Sequence, residues 1–392
     1  MFQSMSMPVL IGIFLVSAAV IWVAGVQLSN TTDAIADHFH MGQALGGLLI
    51  LAIATNLPEI AISVTAGLSG QVGLAIGNIL GGIGVQTVVL IALDASTPDR
   101  RPLTRQVKSL LPVLEGSMVI AVLVLVILAK QLPPNLAIAG IGPGEAMIAA
   151  TWIGGIFLLN KARKGLPWHV SAGQDSKDKE DGGEQGKGEG SGEDKEDKEG
   201  SGGSRGTGDK GDEGDDGHKS DKGDDGSKGN KDHATQIGRI LAIFAVAAGA
   251  TLVAGFSIEQ AGDAIAQRLG MTGAIFGATF LAAATALPEL STGLQAIKLR
   301  DNQLAVSDIF GGNAFLPVLL LLVGVLSGRA VIPQAKPSDI YVASLGILLT
   351  TIYLAGLVFH SERRIWRVGI DSVAVLIAFV LGIIGLVVVP GG

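Results

Sequence analysis

Two stretches of this 392-residue chain, ATNLPEIAISVTAG (54–67) and ATALPELSTGLQAI (284–297), place a proline and a glutamate inside runs otherwise apolar enough to cross a bilayer. Pro58 cannot donate to the carbonyl of Ala54, and Pro288 cannot donate to that of Ala284, so each proline breaks a helix and frees backbone oxygens. At membrane depth such oxygens are tolerated only in a protein interior or a wet cavity. Thr55 and Thr285 precede Glu59 and Glu289 by one helical turn, which lets hydroxyl and carboxylate share a face. Two carboxylates, two hydroxyls and two freed carbonyls form an all-oxygen set suited to Ca2+, or to Na+ in its place. A proline alone more often makes a simple kink, and a lone buried glutamate is satisfied by an interhelical hydrogen bond. Two such pairs, at matched positions, favour a binding site, because ionisable residues within spans are rare and usually functional.

The surrounding composition is that of a membrane protein. Hydrophobic residues make up 48% and charged residues 16% of the chain, and mean hydropathy is +0.49. Apolar runs of roughly 18–28 residues, long enough for a hydrocarbon core of about 30 Å, suggest ten spans. They lie near 8–27, 41–68, 71–93, 110–130, 144–160, 237–257, 271–297, 303–327, 338–359 and 368–390. The first run lacks a basic start and reads as a retained helix rather than a signal peptide. Cysteine is absent, which removes disulfides, thiolate metal sites and thiol nucleophiles.

Residues 171–233 hold 20 of the 35 acidic side chains and 11 of the 28 Lys/Arg. The net charge of −7 therefore belongs to this segment and gives no indication of a nucleic-acid partner. Rich in Gly, Asp, Lys, Glu and Ser, it cannot bury enough apolar surface to offset ordering, and it is expected to be a disordered linker. Its Asp/Gly clusters miss the EF-hand spacing, which favours a solvated tether over a cation sensor. The expected organisation is a first membrane repeat over 1–165, a linker over 166–235 and a second repeat over 236–392.

Sliding one half onto the other at an offset of 230 aligns Asp33-Ala-Ile-Ala36 with Asp263-Ala-Ile-Ala266, and Met41 with Met271. Thr55, Leu57, Pro58 and Glu59 fall on Thr285, Leu287, Pro288 and Glu289, and Gly81-Gly82 on Gly311-Gly312. Five spans per half make the duplication an inverted one. With the N-terminus outside, the inner connections hold Arg100, Arg101, Arg105, Lys108, Lys161, Arg163, Lys164, Lys298, Arg300, Arg363, Arg364 and Arg367. The outer ones hold only Lys130, Arg268, Arg329 and Lys336. The positive-inside rule then puts both termini outside and the linker in the cytoplasm. The expected fold is thus all-α and polytopic, with about ten transmembrane helices as two inverted five-helix repeats. Such repeats commonly bind substrate near the midplane.

The span after each motif is glycine-dense, LAIGNILGGIG (74–84) and LAVSDIFGGNAF (304–315), which close helix packing alone explains. Packing does not explain Asp308, read as a cavity residue against the alternative of a helix start near the interface. Asn78, its repeat mate, lines the cavity or makes an interhelical hydrogen bond. Glu115 and Asp371 sit near span ends without repeat equivalents and read as interface-level charges.

The repeated A-T-x-L-P-E-[IL], with Asn78 and Asp308 nineteen residues after the glutamates, resembles the α-repeats of the sodium/calcium exchanger family within the Ca2+/cation antiporters. Those repeats usually read G-[TS]-S-x-P-E and G-N-x-x-G-S-N, and the resemblance covers the blocks 54–86 and 284–316. It implies an alternating-access antiporter that exports Ca2+ in exchange for Na+ or H+, in the cell membrane, with no cofactor beyond the transported ions. The family's central carboxylates correspond to Glu59 and Glu289. Its preceding Thr/Ser pair corresponds to Thr55 with Asn56 and to Thr285 with Ala286. Its G-S-N serine falls on Gly82 and Gly312, and a further Asn/Asp ligand falls on Gln86 and Leu316. The missing hydroxyls and the leucine take away flanking Na+ ligands, and shift the expectation toward H+ coupling or another divalent cation. Asp308, two turns before Leu316, offers partial compensation.

Other classes fit less well. A passive cation channel favours a ring of charges along a continuous pore. An intramembrane hydrolase lacks a paired-His zinc motif and a nucleophile, so the chain does not read as an enzyme. A sensor or scaffold acting through the linker leaves the paired Pro-Glu motifs unexplained. Deleting 176–230 and rejoining the ends with a short flexible segment is expected to leave membrane insertion intact, because closure entropy varies slowly with length. Loss of insertion in a membrane-fractionation assay contradicts the linker reading.

Overall fold

The computed structural model describes residues 2–38, 53–99, 101–163 and 225–389, without the side chains of Ser29, Asp33, residues 36–38, Arg163, residues 225–236 and Ala274. The start of the second expected span, Met41, Arg100, Lys164 and most of the 166–235 linker lie outside the described residues. Met1–Pro167 and His233–Gly392 form one compact unit, and Trp168–Asp232 forms another.

Helix occupies each of the ten expected positions. The first half contains α1 (Met7–His38), α2 (Leu57–Ser69), α3 (Val72–Ser96), α4 (Leu111–Ala129) and α5 (Pro143–Arg163). In the second half, α6 (Asp225–Leu269) leads to a broken helix over Gly273–Thr285, then α7 (Leu287–Lys298), α8 (Asn302–Phe315) and α9 (Leu319–Ser327). The chain ends with α10 (Pro337–Phe359) and α11 (Ile370–Leu386). Six described stretches are long and apolar enough to cross a membrane by length and composition alone, whereas Leu57–Ser69 and Ile370–Leu386 are shorter apolar helices. The second and seventh spans fall short as single helices because their motifs interrupt them. Helix α5 carries Glu145 near its start and Asn160, Lys161 and Arg163 at its end.

Three details differ from the sequence reading. Helix α6 starts at Asp225, inside the segment expected to be a disordered tether. The all-α chain carries one short exception, an antiparallel pairing of β1 (Arg364–Ile365) with β2 (Val368–Gly369) in the connection before α11. Glu115 and Asp371, expected as charges at the lipid interface, are enclosed by the bundle, with 4% and 7% exposure. Asp371 packs against Gly356 of α10, where an added Cβ would lie 2.6 Å from Oδ2.

The duplication is visible in the packing. Helices α2 and α7 begin at Leu57 and Leu287, and α3 and α8 at Val72 and Asn302, all at the offset of 230. Where α3 runs on without interruption, Pro317 removes a helical donor and the second half makes a 3-10 turn, Leu316–Val318. Helix α3 is the most enclosed, with 83% of its span buried, against 22% for the span of α6. Exposed Leu15, Val16 and Val23 on α1, and Val246 and Val253 on α6, give these helices an apolar outer surface suited to lipid.

Connections collect at alternate ends, as inverted repeats require. At one end Arg105 pairs with Glu362 at 3.5 Å, Asn302 Nδ2 donates to Gln106 Oε1 at 2.8 Å, and Arg364 Nη1 donates to the Asp99 carbonyl at 2.8 Å. At the other, Lys130 Nζ donates to the Pro333 carbonyl at 2.6 Å, and Glu145 Oε1 accepts from the N–H groups of Val331 (2.8 Å) and Ile332 (3.0 Å).

Two glycines fix how the outer helices meet the motifs. A Cβ on Gly25 of α1 would lie 2.7 Å from Pro288 Cβ, and one on Gly255 of α6 would lie 2.6 Å from Ala61 Cβ and 3.3 Å from the Pro58 carbonyl. Positions 25 and 255 are again 230 apart, so each outer helix crosses the proline of the opposite repeat at a symmetry-related glycine. Gly25→Ala and Gly255→Ala are each expected to destabilise the bundle by about 1–3 kcal/mol through overpacking. Gly12, with no heavy atom within 4 Å of an added Cβ, is the control. Unfolding of the detergent-solubilised protein checks this, and equal stability of Gly25→Ala and Gly12→Ala contradicts it.

Candidate functional site

The helix breaks fall two residues before the prolines. Asn56 has φ −88° and ψ 13°, and Ala286 has φ −79° and ψ 1°, so each leaves the helix just ahead of Leu57 or Leu287. Pro58 and Pro288 then sit in the first turn of α2 and α7, where a missing N–H is harmless. The glutamates follow in the same first turn. A broken helix thus presents a carboxylate beside a positive helix end, deep in the bundle.

Both glutamates are almost completely enclosed, with exposures of 0% for Glu59 and 1% for Glu289. Their four carboxylate oxygens are buried without an aligned hydrogen-bond donor among the described residues. Glu289 has Glu59 and Asp308 as its acidic neighbours, so the two repeats bring their carboxylates together. The Thr285 hydroxyl stands beside Glu59 while donating to the Ala282 carbonyl at 3.3 Å. The sequence reading paired each threonine with the glutamate of its own motif. Because the break separates them, Thr285 serves the glutamate of the other repeat. Thr55, Ala54 and Ala284 are buried on the same breaks.

Asp308 lies in the middle of α8, not at its start, with 7% exposure. Its Oδ2 accepts a 2.6 Å hydrogen bond from Thr292 Oγ1, which is tied to α7 through the Glu289 carbonyl at 3.1 Å. The core of the site is therefore a carboxylate pair with a tethered third acid beside it. No group of three or more His, Cys, Asp or Glu side chains forms a metal-binding cluster among the described residues.

The flanks are unequal. A Cβ on Gly312 would lie 3.2 Å from Asn56 Nδ2, 3.7 Å from Gln86 Oε1 and 3.9 Å from Asn56 Oδ1. Two amides thus converge where the sequence comparison finds a serine missing. At the symmetry-related Gly82, the neighbour is Leu316 Cδ1, at 3.3 Å. One wing is lined by amides and the other by a leucine. Asn78 and Gln86 are fully buried, and both polar atoms of each side chain lack a hydrogen-bond partner among the described residues.

Two polar residues escaped the sequence reading. Asn313 is fully buried and donates to the Ile83 carbonyl at 3.5 Å, across exactly one repeat offset. Ser63, one turn after Glu59, is fully buried, and its hydroxyl has no hydrogen-bond partner. Their mates are Ile83 and Gly293. A search for positions polar in both halves passes over them. The i+4 spacing from Glu59 would have found Ser63.

An inverted duplication of apolar helices, broken at a buried carboxylate in each half, is the architecture shared by many secondary transporters. The chain belongs to the sodium/calcium exchanger protein family, which it matches over residues 9–159 and 239–388. It is 36% identical over 120 residues to a putative antiporter, CaxA, from Alkalimonas amylolytica, an alignment covering 30% of this chain and 35% of the relative. Its fold is similar to that of the H+/Ca2+ exchanger CAX, with a TM-score of 0.61 and 11% identity over 96% of this chain and 82% of that one. It is also similar to the sodium-calcium exchanger NCX_Mj, with a TM-score of 0.52 and 16% identity over 97% and 99% of the two chains. For YfkE the TM-score is 0.56 at 14% identity, covering 96% and 92%.

Removing one charge from a desolvated cluster that binds a cation costs about 3–5 kcal/mol, or at least ~100-fold in affinity. Glu59→Gln and Glu289→Gln are each expected to lose Ca2+ binding by that factor while remaining inserted. Equilibrium binding of 45Ca2+ to the purified variants checks this, and wild-type affinity in both removes the pair from the site.

Proposed function

We propose that the protein is a secondary active antiporter that moves Ca2+ out of the cell in exchange for H+, by alternating access. The observation that carries this reading is the pair of glutamates, one per repeat, whose four buried oxygens have no aligned donor. A buried carboxylate must be neutralised by a cation, a proton or a hydrogen-bond network. Among the described residues no well-aligned network does so. Ca2+ takes six to eight oxygens, several of them carboxylate, and Glu59, Glu289, Thr55, Thr285 and the backbone oxygens of Ala54 and Ala284 supply an oxygen-only set.

The unequal flanks bear on the coupling ion. Asn56 and Gln86 near Gly312 offer amide oxygens for one additional monovalent cation. Leu316 against Gly82 offers none. A second flanking Na+ would meet hydrocarbon, so charge balance after Ca2+ release falls to protons on Glu59, Glu289 and Asp308, which need no dedicated ligand cage. Release of Ca2+ and uptake of protons at the same carboxylates make the exchange obligatory. The concentration of Lys and Arg in the inner connections supports a cell-membrane orientation with both termini outside and the 166–235 segment in the cytoplasm.

The test is 45Ca2+ uptake in proteoliposomes under imposed gradients. A pH gradient without Na+ is expected to drive uptake, and a protonophore to abolish it. Asp308→Asn is expected to flatten the pH dependence, and the pair Gly312→Ser with Leu316→Asp to confer response to Na+. Robust uptake under a Na+ gradient at equal pH, insensitive to protonophore, overturns H+ coupling. Passive Ca2+ flux without any counter-ion gradient overturns antiport.

A further inference from the structure

A second buried acidic pair lies away from the glutamates, at the end of the bundle where the Arg105–Glu362 pair sits. Asp94, at the end of α3, is 1% exposed and fully satisfied. Its Oδ1 accepts from the Leu103 N–H at 2.7 Å, and its Oδ2 from the Gly369 N–H at 2.6 Å and the Ser372 hydroxyl at 2.7 Å. Three donors thus converge on this one side chain. It ties the first repeat to the β-hairpin and α11 of the second.

Asp371 stands in the same compartment with weaker support. It is 7% exposed, and neither carboxylate oxygen has an aligned hydrogen-bond partner. The groups facing it are the Thr104 hydroxyl, its own N–H and that of Ser372, which offer poorly aligned donors, and the Asp94 carboxylate. Thr104, 1% exposed, turns its hydroxyl toward Asp371 without good alignment. Tyr353 of α10 is completely buried, its phenol oxygen also lacks a partner, and its electrostatic neighbours are Asp94 and Asp371. The nearby Arg105 and Arg364 direct their terminal nitrogens elsewhere. Arg105 pairs with Glu362, and Arg364 donates to the carbonyls of Asp99 and Arg367. Glycine makes the room: a Cβ on Gly356 would lie 2.6 Å from Asp371 Oδ2, and one on Gly369 would press on Oδ1.

Two carboxylates in one desolvated compartment, with hydroxyls turned toward them and no basic side chain committed to them among the described residues, favour a positive counterpart. Every available ligand atom is oxygen, which selects a hard cation. We propose that Asp371, with Thr104, Tyr353 and the Asp94 carboxylate, forms a second cation site for Ca2+, separate from the Glu59–Glu289 pair. Its ligands come from both repeats: Asp94 and Thr104 from the first, Tyr353 and Asp371 from the second. A bound ion therefore pins the two halves together at this end. Tyr353 also stacks edge-on against Phe310 of α8 at 5.7 Å, two residues from Asp308. This places the second site one side chain from the helix that borders the central one.

The test uses the full-length protein in detergent and does not depend on transport. The double variant Glu59→Gln/Glu289→Gln is expected to retain one Ca2+ per chain in 45Ca2+ equilibrium dialysis, and to melt at higher temperature with Ca2+ than without. Adding Asp371→Asn is expected to remove that ion and the thermal shift. In the otherwise native chain, Asp371→Asn lowers bound Ca2+ by one per chain, which keeps the test valid should the double variant not fold. Tyr353→Phe, which preserves the ring stack, is expected to weaken residual binding about tenfold, near the net value of one ion-assisted oxygen contact. Absence of residual Ca2+ in a folded double variant overturns the site and points to a proton on Asp371. Residual binding unchanged by Asp371→Asn also overturns it, and assigns that ion to the acidic 166–235 segment. Neither outcome touches the central pair, whose failure reads out separately in the single glutamate variants.

Discussion

The molecule is organised by the need to neutralise two glutamates in a bundle that excludes water. Each carboxylate sits on a helix that starts afresh at Leu57 or Leu287, and neither is matched by a donor network. An unpaired buried charge costs several kcal/mol, so the proposed reading places a cation or protons at the centre. That makes ion occupancy and conformational energy one quantity, which is the requirement for a carrier that must not rearrange with an unbalanced site. The breaks, the prolines and the glycine contacts at Gly25 and Gly255 all serve to hold that pair at the junction of the repeats.

Duplication supplies the pair, and divergence makes its surroundings unequal. The two halves keep offset-related contacts, Gly25 on Pro288 and Gly255 on the Pro58 carbonyl, yet their flanks differ. Asn56 and Gln86 in one half correspond to Ala286 and Leu316 in the other. Pro317 adds to the asymmetry by forcing a 3-10 turn where α3 is continuous. A symmetric frame with unsymmetric walls can admit one type of ion at the axis while changing the ligands available on either side.

Much of this was legible in the sequence because the residues involved obey two strong rules. A proline beside a glutamate in an apolar run is costly enough to stand out, and repetition at a fixed offset separates design from accident. What stayed hidden depended on partners that only the fold brings together. Thr285 reads as a neighbour of Glu289 on a helical wheel, but the break at Ala286 sends it to Glu59. Asn313 and Ser63 lack polar mates, so the repeat comparison discounts them. Glu115 and Asp371 sit near span ends, where hydropathy cannot distinguish a lipid-interface charge from one turned inward; in the bundle both are buried.

The buried acids outside the centre divide by what satisfies them. Glu145 takes the N–H groups of Val331 and Ile332, and Asp94 takes three donors from two connections. Both join a helix of the first repeat to a connection or helix start in the second, one at each end of the bundle. Such hydrogen-bonded carboxylates act as fixed fastenings, since a charged acceptor loses much when its donors move away. Asp371 is held less firmly, although it faces Asp94 across the same junction. A rearrangement that separates the repeats at this end must pull Asp94 from Gly369 and Ser372, and the balance of that step is set by whatever charge Asp371 carries beside it. On the proposed reading, the junction is therefore the point at which an ion outside the central pair would have leverage over the motion of the whole bundle.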